Sequence, residues 1–431
     1  MPFKNLGLHP LLIKAIRELE YTEPTPVQAG AIPPILEGRD LLATAQTGTG
    51  KTAAFLLPIL HRLIDQPRGF SRAIIVSPTR ELAEQIEEGC RKLGKHTSLR
   101  STLIVGGKPI QPQERTLRTG PDVVVATPGR LLDHMNHNMR FDKVVTLVLD
   151  EADTMLDMGF LPDMKRIITK LPNLLQTLMF SATMPPVIAK LANDILHKPA
   201  SVQIGRRTAT AVGITQAAYP VPTHLKTSLL RHLLRNTEMP SVLVFVRTKH
   251  NAKKLAKVLT TDGFSVAELH SNRTPAQRTK AMEGFRRGAY QIMVATNVAS
   301  RGLDVDHITH VISLDVPDVP EEYVHRIGRT GRAGAEGDAF ILVAREEEQS
   351  LSRIERQIGQ RLPRVTLPEF DYNSPAPKPA ADAGQRRPQG GGGGRQGGGG
   401  GARSGPPRSS GGSGGGGGRP NPNRPGKRGP V

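Results

Sequence analysis

Two stretches carry side chains spaced for chemistry. In "AQTGTGKT", Ala45 to Thr52, Gly48 and Gly50 stand among small polar residues directly before Lys51 and Thr52. Glycines let backbone amides approach phosphate oxygens, Lys51 offers a point charge for the β and γ phosphates, and Thr52 offers a hydroxyl for Mg²⁺. A helix starting at Lys51 would add its dipole. The stretch misses G-x-x-x-x-G-K-[ST] at one position, because Ala45 stands where the first glycine would be. The second stretch is "VLDEAD", Val148 to Asp153, an apolar run ending in three acids. Buried carboxylates are expensive to desolvate and need a compensating partner. With its strand beside the phosphate-loop strand, Asp150 would hold Mg²⁺ through the metal's water shell, and Glu151 would orient and activate the water that attacks the γ-phosphate. Asp153 has two readings: an acceptor for the hydroxyls of Ser181 or Thr183 in "SAT", or a helix-capping acid.

The elements that must position these residues show in the apolar rhythm. Short β-branched runs ("DLLATA", "RAIIVSP", "TLIVGG", "DVVVATP", "VVTLVLD", "QTLMFSAT") alternate with helical patterns such as "RELAEQIEEGCRKL". That alternation predicts a parallel sheet covered by helices. After the small, polar "GRRTATAVG" it restarts with "SVLVFV", "SVAELH", "QIMVATN", "HVISLDV" and "DAFILV", which predicts a second α/β domain. In open parallel sheets ligands gather beyond the carboxyl ends of the strands, where both chemical stretches fall. Cys90 shares an apolar helix face with Leu82, Ile86 and Leu93, so core packing is its expected role.

Composition bounds the partners. The chain has 431 residues with 58 Lys and Arg against 39 Asp and Glu, a net charge of +19 that favours an anionic partner. Nucleic acid is preferred to membrane, since no apolar span or lipid-binding amphipathic helix is evident. A single cysteine excludes an internal disulfide and suits a reducing, cytoplasmic setting; the first residues lack the pattern of a secretion signal. From Thr366 onward ten basic residues face three acidic ones in a segment dominated by glycine and spaced arginines, so residues 366–431 are expected to be a disordered basic tail making mobile contacts with phosphates and bases. The pairs His134 and His137, and His307 and His310, have helical ligand spacing but no third ligand, so a metal site there is not expected.

The "DEAD" at 150–153 resembles the signature of the DEAD-box RNA helicases, and other motifs follow in that family's order. These are Phe3 with "YTEPTPVQ", "AQTGTGKT", "PTREL", Gly106 with Gly107, "TPGR", "DEAD" and "SAT", then "VLVFVRT", "ATNVASRGLD" and "HRIGRTGRAG". The resemblance covers about residues 1–365 and is strongest to bacterial RhlE-like members. It implies two tandem RecA-like domains, divided as an adenine-recognition region at 1–32, an ATP-binding domain at 33–205, a linker at 206–214 and a C-terminal helicase domain at 215–365.

By the same resemblance, Gln28 reads the adenine edge with Phe3 or Tyr21 packed on that element. Ala45, Gln46, Thr47, Gly48, Thr49, Gly50, Lys51 and Thr52 cradle the phosphates, Thr52 and Asp150 serve Mg²⁺, and Asp304 contacts the ribose. Lys51 and Glu151 act on the reaction together with Arg329 and Arg332, the latter as arginine finger. Asp153, Ser181, Thr183 and His325 couple the domains. Arg80, Gly107, Thr127 and Arg130, joined by Arg278 and Thr296, bind the RNA backbone, and 2′-hydroxyl contacts separate RNA from DNA. An aromatic content of 4% with no Trp argues against an extensive base-stacking platform. Asn297 replaces the Asp usual in "ATD", and Pro275 stands where Gln is common. The implied activity is ATP-dependent separation of short RNA duplexes or remodelling of RNA–protein complexes, with ribosome-assembly or RNA-decay assemblies as partner classes. An ATP-switched RNA clamp or annealing chaperone is the competing class, and a DNA helicase the third.

Overall fold

Runs rich in Val, Ile and Leu become strands buried on both faces, because successive side chains point to opposite sides of a sheet that helices cover twice. The computed structural model describes residues 2–45, 48–137, 139, 141–204, 213–297, 307–331 and 336–376. Its first sheet contains β1 (Leu41–Thr44), β2 (Ala73–Val76), β3 (Ser101–Ile104), β4 (Val123–Ala126), β5 (Thr146–Leu149), β6 (Gln176–Ser181) and β7 (Ala200–Gln203). The strands are parallel in the order β3-β4-β2-β5-β6-β1-β7. Ala73 and Ile75 of β2 enter one core with Phe55 and Leu56 of the helix Lys51–Ile64, whereas Ile74 and Val76 enter the other with Leu131 and Met164. One strand thus ties two helical layers together. Cys90 lies in the first core on the helix Arg80–Leu93, and burial raises its thiol pKa well above the ordinary value.

The second sheet contains β8 (Ile214–Pro220), β9 (Val242–Val246), β10 (Val266–Leu269), β11 (Ile292–Thr296), β12 (His310–Ser313) and β13 (Gly337–Val343), parallel in the order β10-β11-β9-β12-β13-β8. The same division holds here: Val242, Val244 and Val246 face one core, Leu243 and Phe245 the other. The doubly covered parallel sheets expected from the alternating pattern are therefore present, one in each lobe.

Three expectations need correction. β5 does not adjoin β1, because β6 lies between them, pairing Val148 with Leu178 and Thr44 with Ser181. A crossover seats the "SAT" strand there, so the phosphate loop borders Ser181, whose carbonyl accepts from Ala45 N at 3.0 Å. Ile214, assigned to the linker, already pairs with Gly337 as the first residue of β8. The tail begins too early at 366: Leu367, Phe370 and Tyr372 pack on the second lobe, and Leu367 N donates to the Tyr372 hydroxyl at 2.9 Å. These three apolar side chains are partly buried there, in a segment whose composition otherwise reads as polar. Residues 377–431 and the linker residues 205–212 lie outside the described residues.

Candidate nucleotide and RNA site

The phosphate loop ends on Gly48 and Gly50, with φ of 83° and 89°, a left-handed backbone that glycine adopts without strain. A Cβ on Gly50 would stand 2.4 Å from Gln28 Nε2, so any side chain there would also have to displace the Gln28 amide. Gln28 is buried at the start of the helix Pro26–Leu36, accepting from Thr25 N at 2.9 Å and donating to the Gly50 carbonyl at 3.1 Å. Thr25 Oγ1 donates to the Thr49 carbonyl at 2.7 Å. The segment expected to recognise adenine is thus bolted to the glycine loop. Phe3 is buried with its ring stacked 6.4 Å from that of exposed Tyr21, so both aromatic candidates meet beside this element.

Lys51 is buried, and its Nζ donates to the Ala45 carbonyl at 2.9 Å. Asp150 is 2% exposed, and burial pushes its carboxyl up to about 7 despite the opposing charge of Lys51; the neighbouring Glu151 adds to the rise. Glu151 adopts a left-handed φ of 50°, uncommon for a non-glycine residue and found where function holds a strained backbone. Its Oε2 is buried without a hydrogen-bond partner among the described residues. A carboxylate made reluctant to ionise and an orphaned carboxylate oxygen beside a glycine cradle fit a Mg²⁺-bound triphosphate: Thr52 and Asp150 would hold the metal, Lys51 the phosphates.

Asp153 resolves to the acceptor reading. Its Oδ2 accepts from Thr183 N at 2.7 Å, Thr183 Oγ1 at 2.8 Å and Ala182 N at 3.2 Å. Ser181 Oγ takes a 3.3 Å bond from Asp153 N and donates to the Thr183 carbonyl at 2.6 Å. Across the cleft, His325 Nε2 lies 3.4 Å from the same Asp153 oxygen. Burial would raise the Asp153 carboxyl, but the His325 bond and charge, Lys51 and Thr183 outweigh it and hold it well below the usual range. His325 and Arg326 sit on the helix Pro320–Ile327, and Arg329 is buried just beyond it.

The three motifs of the expected RNA face do converge. Arg80 lies over the glycine pair, so a Cβ on Gly107 would come within 2.3 Å of its guanidinium. Arg130 Nη1 donates to the Lys108 carbonyl at 2.9 Å, and Thr127 N to the Ile104 carbonyl at 3.1 Å. Thr296 ends β11. Arg278 reaches the other lobe, where its Nε and Nη2 both meet Glu81 Oε1, at 2.8 and 2.7 Å. Sequence reasoning did not single out Glu81; its place beside Arg80 was the available signal. Pro275 is the first residue of the helix Pro275–Arg286, where a missing N–H costs nothing, and the helix still presents Arg278. Gln46, Thr47, Asp304 and Arg332 lie outside the described residues. Among the described residues, no group of three or more His, Cys, Asp and Glu could hold a metal, and no helix is long and apolar enough to cross a membrane.

Two RecA-like sheets, one bearing a phosphate loop with acids and the other a helix whose His325 meets one of those acids, define a two-lobed nucleotide-driven enzyme. Family models agree: residues 25–191 match the DEAD/DEAH box helicase domain and residues 225–334 the helicase conserved C-terminal domain. The chain is 37% identical over 370 residues to the DEAD-box ATP-dependent RNA helicase CshA of Bacillus cereus, covering 86% of this chain and 70% of that protein. It is 41% identical over 373 residues to RhpA of Helicobacter pylori, covering 86% and 75%. Its fold matches S. cerevisiae Dbp5 bound to RNA and ADP BeF3 with a TM-score of 0.78 at 33% identity, over 84% of this chain and 95% of that one. The chain belongs to the DEAD-box family of ATP-dependent RNA helicases. Its nucleotide is ATP with Mg²⁺ and its partner is RNA.

Proposed function

We propose that the two lobes close on ATP and a single RNA strand, and that closure bends the strand so that a short duplex is separated locally. The observation that carries this reading is the pair of contacts crossing the cleft, His325 to Asp153 on the nucleotide side and Arg278 to Glu81 on the RNA side. Each joins a motif of one lobe to a motif of the other, which makes ATP and RNA occupancy depend on one closing motion. Gln28 orients the adenine with Phe3 and Tyr21 packed beside it. The loop from Ala45 to Thr52, Gln46 and Thr47 included, cradles the phosphates, and Asp304 takes the ribose.

Mg²⁺, when bound, neutralises developing charge on the phosphate oxygens. Lys51 shares that task, Glu151 accepts a proton from the attacking water it orients, and Arg329 with Arg332 brings positive charge from the second lobe. Arg80, Gly107, Thr127, Arg130, Arg278 and Thr296 hold the RNA backbone without reading sequence. A cytoplasmic setting and partners in ribosome assembly or RNA decay complete the proposal, supported by the lone cysteine and the strongly basic composition. The RhlE-like grouping rests on the wording of the motifs.

The test is strand separation on matched RNA and DNA duplexes with ATP and with GTP. Rapid unwinding of RNA with ATP alone is expected. Equal unwinding of DNA, or strand annealing that persists when Glu151→Gln has stopped hydrolysis, would overturn the reading.

A further inference from the structure

Asn297 directly follows β11 and lies between two side chains of the helix Pro320–Ile327. Its Oδ1 accepts from Arg326 Nε at 2.8 Å, and its Nδ2 donates to the Glu322 carboxylate. The amide can take only this orientation, since a guanidinium donates and never accepts and an ionised carboxylate accepts and never donates. Arg326 is 3% exposed; its Nη1 donates to the Asp315 carbonyl at 2.8 Å, and its guanidinium carbon stands 5.2 Å from the centre of the Phe245 ring. Burial lowers Arg326 to about 10, the charges of Glu322, Asp315 and Asp318 pull it upward, and Arg247 pulls it down. A neutral amide therefore links one buried cation to one carboxylate, donor to acceptor at both ends. An aspartate in its place would accept equally well from Arg326 but would set acceptor against acceptor, and charge against like charge, at Glu322.

Asn297 is one peptide bond from Thr296, a proposed RNA contact, while Arg326 begins the turn that carries Arg329, whose N–H donates to the Arg326 carbonyl at 3.1 Å. We infer that Asn297 is a positioning residue that transmits RNA occupancy at the end of β11 to the arginine helix, acting as the two-way amide bridge between Glu322 and Arg326. The inference rests on the helicase reading above and deepens it. Coupling carried by a chain of packed hydrogen bonds should be lost when its middle member is removed, although both binding sites survive.

The experiment measures basal and RNA-stimulated ATP hydrolysis, over ranges of ATP and of RNA, together with the melting temperature. The variants are Asn297→Ala, Asn297→Asp, Glu322→Gln and the double variant Asn297→Asp with Glu322→Gln. Asn297→Ala and Asn297→Asp are expected to lower the RNA-stimulated kcat about tenfold, with basal hydrolysis and KM for ATP within about twofold of the parent. The double variant moves the acid across the bridge, so that the carboxylate at 297 accepts from both the new amide at 322 and Arg326, and it should regain most of the stimulation. Full stimulation in an Asn297→Ala protein that melts like the parent would overturn the inference, as would a double variant no better than Asn297→Asp. Should Asn297→Ala fail to fold, that acid-swap comparison decides alone. A parent protein lacking any RNA stimulation would instead bring down the helicase reading.

Discussion

The tip of β5 and the helix Pro320–Ile327 both bury charge, and they do so in opposite ways. Arg326 is compensated within its own lobe by Asn297, the Asp315 carbonyl and the Phe245 ring. Asp150 and Glu151 are matched less fully: burial pushes Asp150 up to about 7 although Lys51 opposes the rise and Glu151 N donates to its Oδ1 at 3.0 Å, and Glu151 Oε2 has no hydrogen-bond partner among the described residues. Buried charge is costly unless paired, so the tip of β5 suits a Mg²⁺-bound triphosphate, whereas Arg326 is already held within the second lobe. In the proposed mechanism the less fully matched charge belongs to the reacting centre and the matched charge to the helix that positions it.

Breaking the unfinished side should have the largest effect. Glu151→Gln removes the proposed proton acceptor with little change in shape, so ATP hydrolysis should fall about a thousandfold while nucleotide binding, read by fluorescence titration, persists. Asp150→Asn should also stop hydrolysis, but it carries a second signature. The native carboxyl near 7 lies above its unfolded value of about 3.9, so between these values the folded protein holds a proton that the unfolded chain has released. Stability is therefore lost as pH rises through that window, by about 4 kcal/mol at most. In the ligand-free protein Asp150→Asn should raise the melting temperature at pH 8 and leave it nearly unchanged at pH 4, as differential scanning calorimetry would show.

Asp153 should show the reverse slope. Its depressed carboxyl adds stability that is present above the ordinary carboxylate range and lost as pH falls through the native value. Asp153→Asn should cost about 1–3 kcal/mol at neutral pH and progressively less in strong acid. Exchanging the partners of the second crossing contact sharpens the comparison further. Glu81→Arg or Arg278→Glu alone should lower RNA-stimulated hydrolysis about fivefold, and the two together should recover part of it, as expected for a pair coupled by about 1 kcal/mol. The smallest effect should follow removal of residues 378–431: weaker RNA binding with a shallower salt dependence, and saturated ATP hydrolysis nearly unchanged. An unaltered binding curve would dismiss the tail as an RNA contact.

Much of the site was legible because its chemistry is local. The glycines before Lys51, the acids after Val148 and Leu149, and the hydroxyls of Ser181 and Thr183 are each read from a few adjacent residues. Strands β2, β4, β5 and β9 were equally visible, since central parallel strands are apolar on both faces. β7, with the sequence "ASVQ", and β8, beginning "ITQAAYP", were not singled out; as edge strands they carry too little apolar patterning to stand out from the polar stretch between them. The packing of Phe370 and Tyr372 was hidden for a similar reason, by the polar composition that surrounds them.

The sequence alone determined the fold class, the phosphate-binding and acidic motifs and the anionic partner, since periodicity, short spacings and net charge are properties of neighbouring residues or of their sum. Only the tertiary structure decided that β6 separates the two reactive strands, that Glu81 meets Arg278, and that Asn297 bridges Glu322 and Arg326. Those contacts join residues far apart in the chain, and which of many acids a given arginine meets is set by crossover order and burial rather than by any local pattern.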